Sequence, residues 1–212
     1  MTNTLLKKIP SQKRSQKTLE RIFQAAQTVL ADQGFKAFTI RNIASQANIG
    51  AASIYDYFPN KQALLIGFCQ ERLQRKLEIF HTHLLGDNLS RPANETLPEY
   101  YQALRQSGLM SKLDLELRHA RNQDPALKAA ITEFENNLLE CLCTFLRHHA
   151  THIPEGEMKA WAKYMLNLDY AAMQIKHGAN EHEMQVYSKL QMETSLAILR
   201  LAGIDIAPPV LE

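Results

Sequence analysis

The sequence predicts an all-α protein, with a three-helix helix-turn-helix unit at its N-terminus and a larger helical domain behind it. Three observations carry that expectation. Apolar residues recur at i, i+3, i+4 spacing through most of the chain. No stretch alternates apolar and polar residues for long enough to read as a strand. Glycine, asparagine and proline stand singly, at intervals that bound about nine helices.

Taken in order, the first helix is expected over about 15–32, where Leu19, Ile22, Phe23, Ala26, Val29 and Leu30 share one face and Gly34 stops it. Thr39 reads as the N-cap of a short helix carrying Ile40, Ile43, Ala44 and Ala47. Asn48 ends that helix, because asparagine enters the left-handed region more cheaply than most residues. A second short helix follows over 51–57, limited by Pro59, and Asn60 caps a long helix reaching about residue 85 and closed by Gly86. Residues 90–94, with Pro92, read as a loop, and Thr96-x-x-Glu99 as the capping box of a helix ending near Ser107. Ser111-x-x-Asp114 opens another helix. Pro125 and Pro154 then sit in the first turns of helices reaching about Ala150 and His177. Asn180-x-x-Glu183 starts the last long helix, which Gly203 ends, and the tail with Pro208 and Pro209 is expected to fray.

Composition narrows the possible functions. With 212 residues, 45% of them hydrophobic and 22% charged, the chain can bury a core in one or two domains. Its longest apolar stretch, Ala63 to Cys69, falls far short of the roughly 18 residues a membrane span needs, and the polar, basic N-terminus does not read as a secretory signal. Three cysteines without paired spacing argue against a disulfide framework, so the expected location is the cytoplasm. Charge is unevenly placed: residues 1–65 hold nine Lys and Arg against three acids, while the remainder holds 15 basic and 19 acidic side chains. A basic front suits a polyanion, although a solvated basic face explains the charge alone equally well. The chain shows no glycine-rich phosphate loop, paired catalytic carboxylates or Gly-x-Ser-x-Gly elbow, and it is not expected to be an enzyme.

Two short helices joined by a tight turn, packed on an amphipathic first helix, are the parts of a helix-turn-helix. The second must be slim enough to enter a major groove, and apolar contacts must hold it. Ile43, Ala44, Ala47, Ile49, Ile54 and Phe58 supply the holding face. Ala51, Ala52, Ser53, Tyr55, Asp56 and Tyr57 are left facing elsewhere, with Lys61 just beyond. On these residues alone, an ordinary helical hairpin with its aromatics in the core remains the competing reading.

The runs Ile22-Phe23-Gln24-Ala25-Ala26, Gln33-Gly34-Phe35, Thr39-Ile40-Arg41-Asn42-Ile43-Ala44, Ala47-Asn48-Ile49 and Ile54-Tyr55-Asp56-Tyr57-Phe58-Pro59-Asn60-Lys61-Gln62-Ala63-Leu64 closely resemble the DNA-binding region of the tetracycline-repressor (TetR) family. The resemblance covers about residues 14–65. It implies that Thr39 and Arg41 contact the DNA backbone, that Ala51, Ala52 and Ser53 face the bases, and that Tyr55 and Tyr57 flank the groove. It further implies that the Tyr57 hydroxyl bonds phosphate and that Lys61 binds phosphate. Lys13 and Arg14 lie ahead of the expected first helix, where a basic arm reaching the minor groove and a disordered tail are both open. Asn48 stands at the family's turn glycine and Gly50 at its Ser/Thr cap. Ala51 and Ala52 offer no hydrogen-bond donors, so base reading leans on thymine methyls, Ser53 and DNA shape.

The resemblance assigns the remaining helices to ligand binding and dimerisation. The last two long helices hold the positions of a homodimer-forming pair, with Met158, Trp161, Ala162, Met165, Leu168, Ala172 and Ile175 striped along one and Tyr187, Leu190, Thr194, Ile198 and Leu201 along the other. Tyr100, Tyr101, His119, Asn122, Asn167, Asp169 and Tyr170 are candidate polar members of a pocket for a small-molecule inducer that no spacing identifies. His81, His83, His148, His149 and His152, with Cys141 and Cys143, invite a metal reading. Cysteines two apart on a helix face different sides, however, so no metal or cofactor is expected and Cys69, Cys141 and Cys143 read as buried, inert thiols. The expected boundaries are a basic arm over 1–14, the DNA-binding unit over 15–60, the ligand-binding and dimerisation domain over 61–203 and a tail over 204–212. The expected function is a one-component regulator of transcription, most often a repressor released from a palindromic double-stranded DNA operator by a small molecule. A thiol- or metal-dependent helical enzyme using Cys141, His148 and His152 lacks a nucleophile–base signature, and a protein-only adaptor leaves the basic front unexplained.

Overall fold

The computed structural model describes residues 13–109, 112–150, 152–176, 178–204 and 206. Among the described residues there are nine α-helices and no strand: α1 (Lys13–Gln33), α2 (Ile40–Gln46), α3 (Ala51–Tyr55), α4 (Lys61–Leu84), α5 (Ala93–Gln106), α6 (Lys112–Ala120), α7 (Pro125–His149), α8 (Glu155–Lys176) and α9 (Glu181–Leu201). Single turns of tighter helix lie at Phe35–Ala37, Gly86–Ser90 and Arg121–Gln123. None of the described helices is long and apolar enough to cross a membrane.

The chain divides into two compact units. The first runs up to Leu73 and takes in Glu116–Ile131; the second comprises Gln74–Leu115 and the chain from Thr132 onward. The sequence reading ends its first domain at residue 60, whereas here the first half of α4 belongs with α1–α3. The reason lies in the packing: Leu64 and Phe68 on α4 are fully buried, and Phe68 meets Phe23 of α1 with ring centroids 6.0 Å apart.

Local chemistry explains most helix ends. Gly34, Gly86, Gly178 and Gly203 follow helices at positive φ, and Asn48 is the one described non-glycine residue there, at φ 51°. At the starts, the Thr39 hydroxyl accepts the Asn42 N–H at 3.1 Å, Asn60 Oδ1 accepts the Ala63 N–H at 2.8 Å, and Asp124 Oδ1 accepts those of Ala126 and Leu127. Asn180 and Glu183 form a complete capping box.

Three expectations are corrected. Thr96 and Glu99 do not cap α5: the helix begins three residues before Thr96, launched by Pro92 at φ −55°. Thr96 is buried inside it with its hydroxyl turned back to the Pro92 carbonyl, and Glu99 is held by the Arg91 guanidinium at 2.8 Å. Lys13 and Arg14 are not ahead of α1 but open it, because the run from Lys13 to Lys17 contains no helix breaker. The third correction shortens α3, which ends at Tyr55; Asp56 and Phe58 still donate to the carbonyls four residues back, and the chain then turns at Pro59. The expected cap at Ser111, the arm over 1–12 and the tail from 207 lie outside the described residues.

Asn48→Gly is expected to leave stability unchanged or slightly raised, while Asn48→Val should cost about 1–2 kcal/mol by forcing a β-branched residue into the left-handed region. Urea unfolding checks both, as a midpoint shift at constant slope.

Candidate nucleic-acid interface

The first unit presents α2 and α3 from a shared core. Ile22, Ala26 and Val29 of α1, Ile43 of α2 and Ile54 of α3 are all without exposed surface. The turn between the two short helices is tied by Arg21, whose Nη2 donates to the carbonyls of Ala47 at 2.6 Å and Asn48 at 3.1 Å. That guanidinium was counted with the basic front; its work is to satisfy the C-terminal carbonyls of α2, where a cation is favoured. Only the tertiary approach of α1 to the turn could show it.

On α3, Ile54 points inward while Ala51, Ala52 and Tyr55 are exposed, Tyr55 at 47%, and Ser53 is half-buried. Gly50 precedes the helix in extended backbone without a side-chain cap, as the sequence requires. The outer face of α3 is therefore small and flat, flanked by one open tyrosine. Arg41 is exposed on α2, and Thr39 is half-buried with its oxygen engaged in capping and its O–H available as a donor. Lys61 is exposed at the start of α4, its ammonium 6.0 Å from the centroid of the Phe38 ring. Asp56 is an exposed acid beside them.

Tyr57, expected to bond phosphate, is engaged within the chain. It is only 7% exposed, and its hydroxyl lies 3.0 Å from Ser15 Oγ and donates to the Ser15 carbonyl at 3.2 Å. It thus ties the α3–α4 turn to the first turn of α1 through the carbonyl and hydroxyl of Ser15. The α4 start is also tied to the head of α7: Gln62 Nε2 donates to Asp124 Oδ2 at 2.8 Å. Bonds from the Leu127 N–H first, and from Gln62 and Ala126, hold the Asp124 carboxyl below its usual range. The side chains of Lys13 and Arg14 lie outside the described residues.

Of the proposed pocket residues, the second unit brings together Tyr100, Tyr101 and Asp169. They line a cavity with about 20 Å³ of free space, walled by Phe80, Leu97, Leu138, Leu142, Phe145 and Met165 among others. Tyr101 donates to Asp169 Oδ1 at 2.7 Å. Asn167 does not join them; it is exposed and bonded to the Lys163 carbonyl, because residues two apart on α8 face different sides. Tyr170 is half-buried and outside the lining, Asn122 is exposed in the first unit, and the His119 side chain lies outside the described residues.

The histidines and cysteines scatter. His152 lies beyond the end of α7, so it does not share a helical face with His148. His149 packs its ring 4.5 Å from that of Phe145, and burial first, with His148 nearby, pushes its pKa down. Cys69 and Cys143 are buried, while Cys141 is half-buried with its sulfur 3.4 Å from His81 Nε2; burial raises the pKa of both Cys141 and Cys143.

Comparison with known proteins bears on this geometry. Residues 22–67 match the family described as bacterial regulatory proteins, tetR family. The HTH-type transcriptional repressor KstR2 of Mycolicibacterium smegmatis is 39% identical over 56 residues, which make up 26% of this chain and 26% of that one. The matched region thus spans about a quarter of the curated repressor's length. Whole-chain similarity is to solved structures. GusR of Salmonella enterica superposes with a TM-score of 0.69 at 19% identity, over 87% of this chain and 96% of its own. A transcriptional regulator from Rhodococcus sp. Rha1 gives 0.70 at 15% identity, over 90% and 99%. At these identities the solved structures establish the fold.

Tyr57→Phe removes the hydroxyl that bridges to Ser15. It is expected to lower stability by about 0.5–1.5 kcal/mol, read from denaturant unfolding, because one part-buried hydrogen bond is lost without a cavity.

Proposed function

Starting from a chain whose residues 22–67 belong to the tetR family of bacterial regulatory proteins, we propose that it is a dimeric transcriptional regulator, a repressor that a small molecule releases from a palindromic DNA operator. The observation that carries the reading is α3 itself: Ile54 anchors it without exposed surface, while Ala51, Ala52 and Tyr55 stand open, as do Arg41 on α2 and Lys61 at the start of α4. A short helix held from one side and bare on the other is what a major groove accepts. In this reading Ala51, Ala52 and Ser53 face bases, and Thr39, Arg41, Tyr55 and Lys61 contact phosphate or the groove walls. Tyr57 serves by fixing α1 against the turn, while Lys13 and Arg14 at the start of α1 add positive charge. A DNA partner places the protein in the cytoplasm.

Dimerisation through α8 and α9 follows from what those helices leave uncovered. Met158, Ala162, Met165 and Leu166 of α8 and Leu196, Ile198 and Leu199 of α9 are buried within the chain. Tyr164 and Ile175 on α8, and Val186, Leu190 and Leu201 on α9, remain open, the last at 79%. Their spacings fall on one stripe per helix. Exposed large apolar side chains aligned on one side of each helix support an association surface. A two-fold dimer would present two copies of α3 to half-sites about one helical turn, roughly 34–36 Å, or a multiple of it apart. The small molecule would occupy the cavity lined by Tyr100, Tyr101 and Asp169.

The direct test is selection of bound duplexes from a random-sequence pool. An enriched inverted repeat is expected, and the absence of any enrichment would refute the reading. With that duplex in hand, Ala51→Glu should abolish binding while leaving thermal stability intact, since it sets a carboxylate against phosphate-lined groove walls. Lys61→Ala should weaken specific and unrelated DNA alike and flatten the salt dependence by about one counterion. An altered base preference at unchanged salt slope would remove Lys61 from the phosphate contacts.

Leu190→Asp should convert the dimer to monomer and lower affinity for the full repeat far more than for a half-site. Sedimentation equilibrium checks the first, and titration of both duplexes the second.

A further inference from the structure

The cavity of the second unit is apolar except at one end, and that end is ordered by a chain of hydrogen bonds. Lys176 Nζ donates to Gln191 Oε1, Gln191 Nε2 donates to Asp169 Oδ1 at 2.7 Å, and the Tyr101 hydroxyl donates to the same oxygen at 2.7 Å. Ser195 Oγ lies 3.0 Å from that hydroxyl and donates to the Gln191 carbonyl. Both donors converge on Oδ1, so Oδ2 accepts from no group among the described residues, and Asp169 lines the cavity. The carboxylate is half-buried and shares the cavity lining with Phe80, Leu138, Leu142 and Met165. Burial first raises its pKa, against the bonds from Tyr101 and Gln191 and the charge of Lys176, whose ammonium bonds Gln191. A purely structural residue at this position would gain from being apolar or an amide.

The aromatic side chains add a second preference. Tyr100 and Tyr101 both line the cavity, with ring centroids 5.3 Å apart, and Phe80 meets Tyr100 edge-on at 5.4 Å. Ring faces attract cations, and a carboxylate beside them attracts the same charge and repels its opposite. Burial and the neighbouring carboxylate keep the Tyr101 hydroxyl protonated well above its ordinary range, so it stays a donor to Asp169 and leaves Oδ2 to a guest.

We propose that this cavity binds an organic amine: a protonated amino group donating to Asp169 Oδ2 between the two tyrosines, with an apolar body among Phe80, Leu97, Leu138, Leu142, Phe145 and Met165. The assignment rests on the reading of the second unit as the sensor of a ligand-released regulator and names the class of ligand it senses. The free space of about 20 Å³ holds one water molecule, so the guest enters by displacing side chains, of which unbranched Met165 is the most adaptable. A carboxylic acid of the same shape would set two carboxylates against each other and is excluded.

The test compares n-alkylamines of four to eight carbons with the corresponding alcohols and carboxylates, titrated calorimetrically into the full chain near neutral pH. The amine of best length should bind about tenfold or more tightly than its alcohol, as a charge-assisted hydrogen bond exceeds a neutral one, and the carboxylate should not bind. Asp169→Asn should bring amine and alcohol to near parity while the alcohol still binds. Equal binding of amine and alcohol to the wild type, a preference that survives Asp169→Asn, or no binding of any chain length would overturn the proposal. The wild-type comparison decides alone should the variant not fold. Affinity for the selected duplex, measured with and without amine, separates the two readings. Amine binding that leaves duplex affinity unchanged upholds the ligand class and refutes release by ligand, whereas a duplex-binding protein that prefers no amine refutes the ligand class and leaves the DNA-binding reading standing.

Discussion

The first unit depends on the burial of Phe58. Its ring has no exposed surface, lies 5.8 Å from Phe23 of α1, and sits so close to α4 that a Cβ on Gly67 would fall 2.8 Å from its Cε1. Through Phe23 it is coupled to Phe68, so one aromatic cluster holds α1, the end of α3 and the first half of α4. Because Phe58 accepts no other position, the turn before α4 is set, and with it Ile54 inward and the small face of α3 outward. Truncating such a side chain costs about 3–5 kcal/mol in general, a large share of a typical domain's stability. The open face of α3 is thus a consequence of core packing.

Polar tethers finish what the aromatic cluster starts. Arg21 closes the α2–α3 turn from α1, Tyr57 fastens the α3–α4 turn to the first turn of α1, and Asp124 clasps the head of α4 through Gln62. Arg21 in particular satisfies carbonyls left at the end of α2. In the second unit the same economy of satisfaction is incomplete. The chain Lys176–Gln191–Asp169–Tyr101–Ser195 engages every member yet leaves one carboxylate oxygen toward a cavity.

The helix ends were largely legible because their signals are local. Thr39, Asn48, Asn60 and the Asn180–Glu183 pair act through their own or adjacent backbone, so sequence spacing predicts them. Thr96–Glu99 shows the limit, since the same spacing inside a helix leaves Thr96 bonding backward and Glu99 taken by Arg91. The candidate site was legible where it consists of exposed residues on a short helix, as with Ala51, Ala52 and Tyr55. It was not legible at Tyr57 or Arg21, whose partners stand 42 and at least 26 residues away.

What the sequence alone determined is periodic or local: an all-α chain, the places where most helices stop, a basic front, and the apolar set that faces inward on α1 to α3. A helix's own 3.6-residue repeat carries that information. What only the tertiary structure decided is which polar groups meet across elements. It placed Asp169 and Tyr101 on one cavity while turning Asn167 outward, assigned the first half of α4 to the first unit, and divided the apolar residues of α8 and α9 into a buried set and an open one. The physical reason is that hydrogen bonds and burial are short-ranged in space and indifferent to separation along the chain, so partners far apart in sequence leave no mark in any local pattern.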